Sequence, residues 1–139
     1  MKFIDTNIFL RYLMPTDQVK YECTREIFDR VIAGREEVMT AAVIIHEVCY
    51  TLSASGVNFY NLPHREVRDR LYPLIELEAM KLKDKAICLV ALDIFAQGEK
   101  IDYADALAVA YVRAGDADGI YSYDARTLGK IQGANRIEP

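Results

Sequence analysis

Five acidic residues stand at positions where the surrounding sequence is apolar, and they constrain the fold more than any other feature of the chain. They are Asp5, Glu47, Asp102, Asp105 and Asp124. Removing a carboxylate from water costs free energy unless a cation compensates its charge. If the fold brings these acids together, the expected compensator is a hard divalent ion such as Mg²⁺ or Mn²⁺, because such ions prefer oxygen ligands. This pattern points to phosphodiester chemistry.

Short apolar runs alternate with longer segments that have helical periodicity. Apolar side chains recur every four residues at Val19, Cys23, Ile27 and Val31, as on one face of a helix. Helices are predicted over residues 6–12, 17–33, 41–53, 64–80, 84–96 and 102–114, and strands over residues 2–4, 37–40, 120–123 and 136–138. Pro73 falls inside the fourth predicted helix, so we expect a kink or two separate helices there.

The order of these elements predicts an α/β fold. Short strands separated by helices favour a parallel sheet that is covered on both faces. In such sheets the active crevice lies beyond the carboxyl ends of the strands. Asp5 follows the first strand, which we expect to be buried, and Asp124 follows the third. Both acids are therefore predicted to lie at the functional edge of the sheet.

Length and composition predict one domain over residues 1–139. The chain is 52% hydrophobic, which is enough for a core of its own. No apolar run approaches the roughly 18 residues that span a bilayer, and Asp5 and Arg11 interrupt any signal-peptide core, so we expect a cytoplasmic protein without membrane contact. Cys23, Cys49 and Cys88 are far apart and form no zinc motif, so we expect buried, reduced thiols.

The charge balance argues against passive nucleic-acid binding. The net charge is −4, which gives no general attraction to phosphate. It does not exclude a nuclease, because a divalent ion in an acidic site reverses the local sign. Two basic clusters are predicted to be solvated helix faces, with contact to a phosphate backbone as the alternative: Arg65, Arg68 and Arg70 in the first, and Lys81, Lys83 and Lys85 in the second.

Each acid also has a local interpretation. Asp5 could cap the helix that follows it, although Thr6 or Asn7 could do the same. Glu47 has apolar neighbours at helical spacing and would be protonated, paired, a ligand, or on an exposed face. Asp102 and Asp105 could cap and support the start of a helix, where its dipole favours negative charge. Asp124 could be an ordinary turn residue.

Four stretches of the sequence resemble the PIN-domain family, and in particular its VapC-type toxins. They are Phe3-Ile4-Asp5-Thr6-Asn7, Ile45-His46-Glu47-Val48, Asp102-Tyr103-Ala104-Asp105-Ala106-Leu107-Ala108 and Tyr121-Ser122-Tyr123-Asp124. The closing Arg136-Ile137-Glu138-Pro139 also resembles the last strand of that family. The resemblance spans essentially the whole chain in the family's order.

The resemblance implies a three-layer α/β/α sandwich with a central parallel sheet and a Mg²⁺- or Mn²⁺-dependent ribonuclease site. The family's acidic tetrad corresponds to Asp5, Glu47, Asp105 and Asp124, and Asp102 corresponds to an additional acid. The supporting polar residues are Thr6, Asn7 and Ser122. The resemblance further implies an RNA substrate, a homodimer and a small antitoxin protein as a partner. Clustered carboxylates in such a site should raise one another's pKa values.

Two other functional classes are alternatives to the ribonuclease. One is a non-catalytic PIN-like protein that regulates by binding RNA or an antitoxin; cleavage assays with and without a chelator distinguish it. The other is phosphotransfer on Asp5, but a dehalogenase-like site would need an aspartate where Asn7 stands. A receiver domain would need paired acids after its first strand, and only Asp5 is present there.

Overall fold

A computed structural model describes all of residues 1–139 and contains parallel strands joined through helices. Strands β1 (Lys2–Phe3), β2 (Val38–Met39) and β3 (Met80–Lys81) form one sheet in that order. In the register Lys2 lies opposite Val38, and Val38 lies opposite Met80. Strands β4 (Ile120–Tyr121) and β5 (Arg136–Ile137) form a second parallel pair. The predicted fold class is confirmed, with the sheet hydrogen-bonded in two parts.

Six helices connect and cover these strands. They are α1 (Thr6–Leu13), α2 (Gln18–Ile32), α3 (Ala42–Ser53), α4 (His64–Glu76), α5 (Lys85–Phe95) and α6 (Tyr103–Arg113), followed by a short 3₁₀ turn, Leu128–Lys130. Aspartate side chains cap three of the helices at their N-termini, namely Asp5 on α1, Asp17 on α2 and Asp102 on α6. Helix α6 packs against α5 and α3, and α3 also packs against α1. No helix has the length and apolar character required to cross a membrane.

The core is one cluster of buried apolar side chains between these elements. Phe9 of α1 and Phe28 of α2 are fully buried, with ring centroids 5.8 Å apart. Tyr103, at the start of α6, is buried and donates a hydrogen bond to the Cys88 carbonyl oxygen at 3.0 Å. The first turn of α6, which carries two of the predicted site residues, is thereby anchored to α5.

The predicted helix over residues 64–80 is wrong at its C-terminal end. Helix α4 ends at Glu76, and Leu77 adopts an extended conformation. The chain then forms β3, where the Ala79 carbonyl oxygen accepts from the Val38 backbone at 2.9 Å. Ala79 and Met80 are apolar and buried, so they fitted the helical pattern, although Ala79 lies in the turn before β3 and Met80 begins that strand. Helix α4 continues through Pro73 as one element, and the alternative of two helices is wrong.

Several smaller expectations are also corrected. Strand β1 is not buried, since Phe3 is 49% exposed; the buried residue of this segment is Ile4. Cys23 is exposed on α2, whereas Cys49 and Cys88 are buried thiols as predicted. The first helix is capped by Asp5 and not by Thr6 or Asn7. The exposure of Phe3 and Cys23 was not predicted because sequence patterns do not show which face of a helix or strand packs against the rest of the protein.

The two basic clusters have structural roles that periodicity did not indicate. Arg68 contacts Asp93 at 2.8 Å, and Arg70 contacts Glu66 at 2.6 Å. The Lys85 ammonium donates to the Leu77 and Met80 carbonyl oxygens, which closes the turn between α4 and β3. Lys81 lies in a strand, so the second cluster is not one helix face.

A buried side-chain hydrogen bond ties the carboxyl ends of β1 and β2 together. Thr40 is buried and its hydroxyl donates to the Ile4 carbonyl oxygen at 3.1 Å, while the Ile4 backbone donates to Met39 at 2.8 Å. Ile4 directly precedes Asp5. The position of Asp5 therefore depends on this pair of bonds between the strands.

Replacing Thr40 by Val keeps the side-chain shape and leaves the Ile4 carbonyl without its hydroxyl donor. We expect the free energy of unfolding, measured with urea, to fall by about 1–3 kcal/mol. The control is Thr24→Val, since Thr24 is equally buried but donates to the Tyr21 carbonyl of its own helix, which helical bonding also satisfies. Equal losses for the two variants would contradict a special role for Thr40.

Candidate active site

Asp5 lies at the point where strand β1 ends and helix α1 begins. Its backbone is extended, and its Oδ1 atom accepts a hydrogen bond from the Thr6 backbone at 2.8 Å. Asp5 therefore caps helix α1, as its local interpretation allowed. The bond uses one carboxylate oxygen, and the residue is exposed, so the second oxygen remains accessible to other partners.

Glu47 lies on an exposed face of an otherwise buried helix. Its helix neighbours Ile45 and Val48 are fully buried, whereas Glu47 is exposed, so the exposed-face alternative for Glu47 is the one that the structure shows. The Thr6 hydroxyl donates a hydrogen bond of 2.5 Å to the Glu47 Oε2 atom. Thr6 thus contacts both Asp5, through its backbone, and Glu47, through its side chain. We call Asp5 and Glu47, which Thr6 links, the first acidic group.

Asp102, Asp105 and Asp124 form the second acidic group, defined by their electrostatic interaction. Asp102 caps α6, and its Oδ1 atom accepts from the Asp105 backbone at 2.7 Å. Burial, followed by the carboxylates of Asp102 and Asp124, raises the pKa of Asp105 from 3.8 to about 6. The predicted mutual elevation of pKa values therefore holds for Asp105.

The Asp124 side chain is held by the turn that follows β4. Its backbone N–H donates to the Ser122 hydroxyl at 2.9 Å, and its Oδ1 atom accepts from the Thr127 backbone at 2.9 Å. The Arg136 guanidinium donates to the Ser122 carbonyl oxygen at 2.8 Å. Sequence reasoning assigned Arg136 only to a closing strand. The missed signal is a cation on β5, the strand that pairs with β4, where Arg136 lies opposite Ile120, two residues before Ser122.

The two acidic groups lie on neighbouring elements but do not form a complete metal-binding site. Helices α3 and α6, which carry Glu47 and Asp105, pack against each other, and His46 and Asp102 line one cavity. No three carboxylate, imidazole or thiol groups are arranged so that they could hold a metal ion together. The sequence suggested that the five acids meet in one pocket, and the structure does not show them gathered in this way. Two effects keep the acids apart. A hydrogen bond from Thr6 orients Glu47, and one from Thr127 orients Asp124. In addition, the negatively charged carboxylates repel one another.

The chemistry of the donor set nevertheless fits a hard divalent ion. All five side chains offer carboxylate oxygens, and Mg²⁺ is typically held by only one or two carboxylates together with waters and substrate phosphates. Burial is the main cause of the raised pKa of Asp105, and the neighbouring carboxylates of Asp102 and Asp124 add to it. Asn7 is exposed in the first turn of α1 and lines a shallow cavity with Thr6 and Arg11.

The family model described as PIN domain matches residues 2–133. The chain belongs to the PIN-domain family. PIN domains are generally metal-dependent nucleases, so a nuclease hydrolase is the activity that membership supports. A comparison with curated proteins finds none that matches the chain.

The charge environment of Asp105 in this PIN domain has a consequence for stability. A carboxyl group whose pKa is higher in the folded state stabilises the fold below its unfolded pKa of 3.8, and this contribution is lost as the pH rises through about 6. The ionised group is therefore mildly destabilising at neutral pH.

We expect Asp105→Asn to raise the free energy of unfolding at pH 8 by about 1 kcal/mol, after allowance for solvent screening, and to change it little at pH 4. Urea unfolding of the variant and the parent protein at both pH values measures the difference. Asp116→Asn, at an exposed position, is the matched control. A loss of stability at pH 8 that exceeds the loss at pH 4 would contradict the repulsion among the three acids.

Proposed function

We propose that this PIN domain is a divalent-metal-dependent ribonuclease and the toxin of a toxin–antitoxin pair. It hydrolyses an RNA phosphodiester: a water oxygen bonds to phosphorus, the bond from phosphorus to the 3′ oxygen breaks, and the products carry a 5′-phosphate and a 3′-hydroxyl. Mg²⁺ or Mn²⁺ is the proposed cofactor. The proposal treats residues 1–139 as a single domain that acts in the cytoplasm.

The observation that carries this proposal is the set of acids that the PIN-domain match spans, in which Asp5 and Glu47 are linked through Thr6 and Asp102 caps the helix of Asp105. Burial, and then the carboxylates of Asp102 and Asp124, raise the pKa of Asp105 to about 6. A structural ion pair would have the opposite effect, because a cationic side chain beside Asp105 would lower its pKa. Perturbed pKa values of this kind are concentrated at functional sites. A divalent ion bound beside Asp105 would supply the positive charge that these carboxylates lack.

In the proposed site, Asp5, Glu47, Asp105 and Asp124 are the catalytic ligands, and Asp102 is a further ligand. When bound, a divalent ion lowers the pKa of a coordinated water and offsets charge on the scissile phosphate. Thr6 orients Glu47 through the 2.5 Å hydrogen bond, and Ser122 orients the backbone of Asp124. Asn7 supplies a further polar group in the first turn of α1.

The partners of the proposed toxin are an RNA substrate, a small antitoxin protein and a second copy of the chain. Large apolar side chains remain exposed on several elements, including Phe3, Met39 and Val43. Exposed apolar surface of this kind supports contacts with protein partners. The antitoxin and homodimer rest mainly on the resemblance of the acidic motifs to those of VapC-type toxins.

Asp5→Asn separates the proposed ligand role from the capping role. Asparagine caps helices about as well as aspartate, so the fold should persist while one negative charge is lost. We expect cleavage of RNA to fall by about 100-fold or more, as for removal of one preorganised catalytic group. The matched control is Asp17→Asn, which makes the same substitution at the N-cap of α2 and should cleave like the parent protein.

The measurement follows cleavage of several labelled RNAs with Mg²⁺, Mn²⁺ or EDTA, together with a thermal unfolding curve for each variant. Activity that EDTA abolishes and Asp5→Asn removes supports the ribonuclease. Parent-level turnover by a folded Asp5→Asn variant would overturn the role of Asp5. Binding of RNA without cleavage under every metal condition would favour the non-catalytic regulatory alternative.

A further inference from the structure

A basic cavity of about 270 Å³ lies beside the turn that holds Asp124. Residues from two segments line it, one between α5 and α6 (98–101) and one that follows Asp124 (126–131). Three of the lining side chains, Lys100, Arg126 and Lys130, are cationic, and all three residues are exposed. The cavity is therefore a local concentration of positive charge in a protein whose net charge is −4.

The cationic groups of this cavity have no anionic partner within the protein. None of Lys100, Arg126 and Lys130 forms an ion pair with a carboxylate. The one acid of the lining, Glu99, is engaged elsewhere: its Oε1 atom accepts from the His64 backbone at 3.0 Å, and its Oε2 atom lies 3.8 Å from the His64 Nε2 atom. A cleft lined by charges of one sign attracts ions of the opposite sign. The cavity therefore favours an anionic ligand.

The basic cavity and the second acidic group are held by the same short segments. Thr127 lines the cavity, and its backbone donates to the Asp124 Oδ1 atom at 2.9 Å. On the other side of the cavity, Lys100 and Ile101 directly precede Asp102, which caps α6. The positive surface therefore borders the acids at which we propose that the scissile phosphate binds.

Neighbouring regions of opposite charge suit a polyanion that crosses both of them. A phosphate beside the acids requires a divalent ion, whereas the next phosphates of the strand can contact ammonium and guanidinium groups directly. Proteins that bind single-stranded nucleic acid use positively charged grooves along its backbone. We propose that Lys100, Arg126 and Lys130 bind the phosphates of single-stranded RNA next to the scissile phosphate. This inference rests on the ribonuclease function proposed above and adds its substrate-binding surface.

The surface is tested by binding of a labelled single-stranded RNA to the full-length chain over a series of salt concentrations, in EDTA to prevent metal-dependent cleavage. Lys100→Gln, Arg126→Gln and Lys130→Gln should each weaken binding about 2- to 5-fold at low salt, as for loss of one exposed ion pair. Each should also reduce the slope of log affinity against log salt by about 0.7, the value for one phosphate contact on a single strand. Lys20→Gln and Arg35→Gln, at exposed positions outside the cavity lining, are the matched controls and should leave both quantities unchanged.

A thermal unfolding curve for each variant checks that the fold persists. RNA binding that the three variants weaken, with a smaller salt slope, upholds the surface even if no RNA is cleaved. Where the parent protein cleaves RNA, the variants should raise KM and leave kcat unchanged, because these contacts are the same in the substrate and the transition state.

Cleavage by folded variants with unchanged KM, affinity and salt slope would overturn the surface and leave the ribonuclease standing. Absence of RNA binding by the parent protein at low salt would overturn it as well. Polyglutamate of the same charge should compete more weakly than unlabelled RNA. Equal competition by polyglutamate would overturn the assignment to RNA in favour of an acidic peptide.

Discussion

Parallel pairing of very short strands determines where Asp5 lies and where the chain enters the helices of the candidate site. Strands β1, β2 and β3 run in one direction, so the chain always leaves the sheet at the same edge before it enters the next helix. Asp5 stands at that edge because the Ile4 backbone and the Thr40 hydroxyl tie the strand ends together. If this pairing were lost, Asp5 and the helix that it caps would have no defined position relative to α3.

The acids show how local capping and function combine in the same residues. Asp5 and Asp102 satisfy backbone N–H groups at helix starts, where the helix dipole also favours a negative charge. Capping therefore helps to hold carboxylates at positions that they would otherwise avoid. Asp105 lies in the first turn of the same helix, and burial followed by its acidic neighbours still raises its pKa. Capping and ligand roles are compatible here, because a cap bond uses one carboxylate oxygen and leaves the other.

The sequence predicted the class of fold and the helices well because their signals are local. Four-residue apolar spacing and polar caps identified α2 and α6 to within a residue at either end. Strand β3 was missed because Ala79 and Met80 extend the apolar pattern of α4, and only pairing with β2 reveals a strand. The exposure of Glu47 and Cys23 depends on which side of each helix meets the core, and periodicity alone did not establish that.

The sequence named the residue types of the candidate site, but it could not give the geometry in which the structure places them. Motif order proposed the five acids as candidates, whereas the hydrogen bond from Thr6 to Glu47 joins residues 41 positions apart and follows only from tertiary packing. The cavity beside His46 is lined by residues from four separate segments, so no single sequence motif predicts it. The division of the acids into two groups likewise depends on side-chain directions that spacing does not encode.

The central claim is that Asp102, Asp105 and Asp124 share one electronegative environment. A carbon-13 NMR titration of the Asp105 carboxyl group, in the absence of divalent ions, measures this directly. The account predicts a pKa of about 6 for Asp105. It also predicts that Mg²⁺ lowers this pKa, because a cation favours the ionised carboxylate. A midpoint near the ordinary value of 3.8, unchanged by Mg²⁺, would contradict the account.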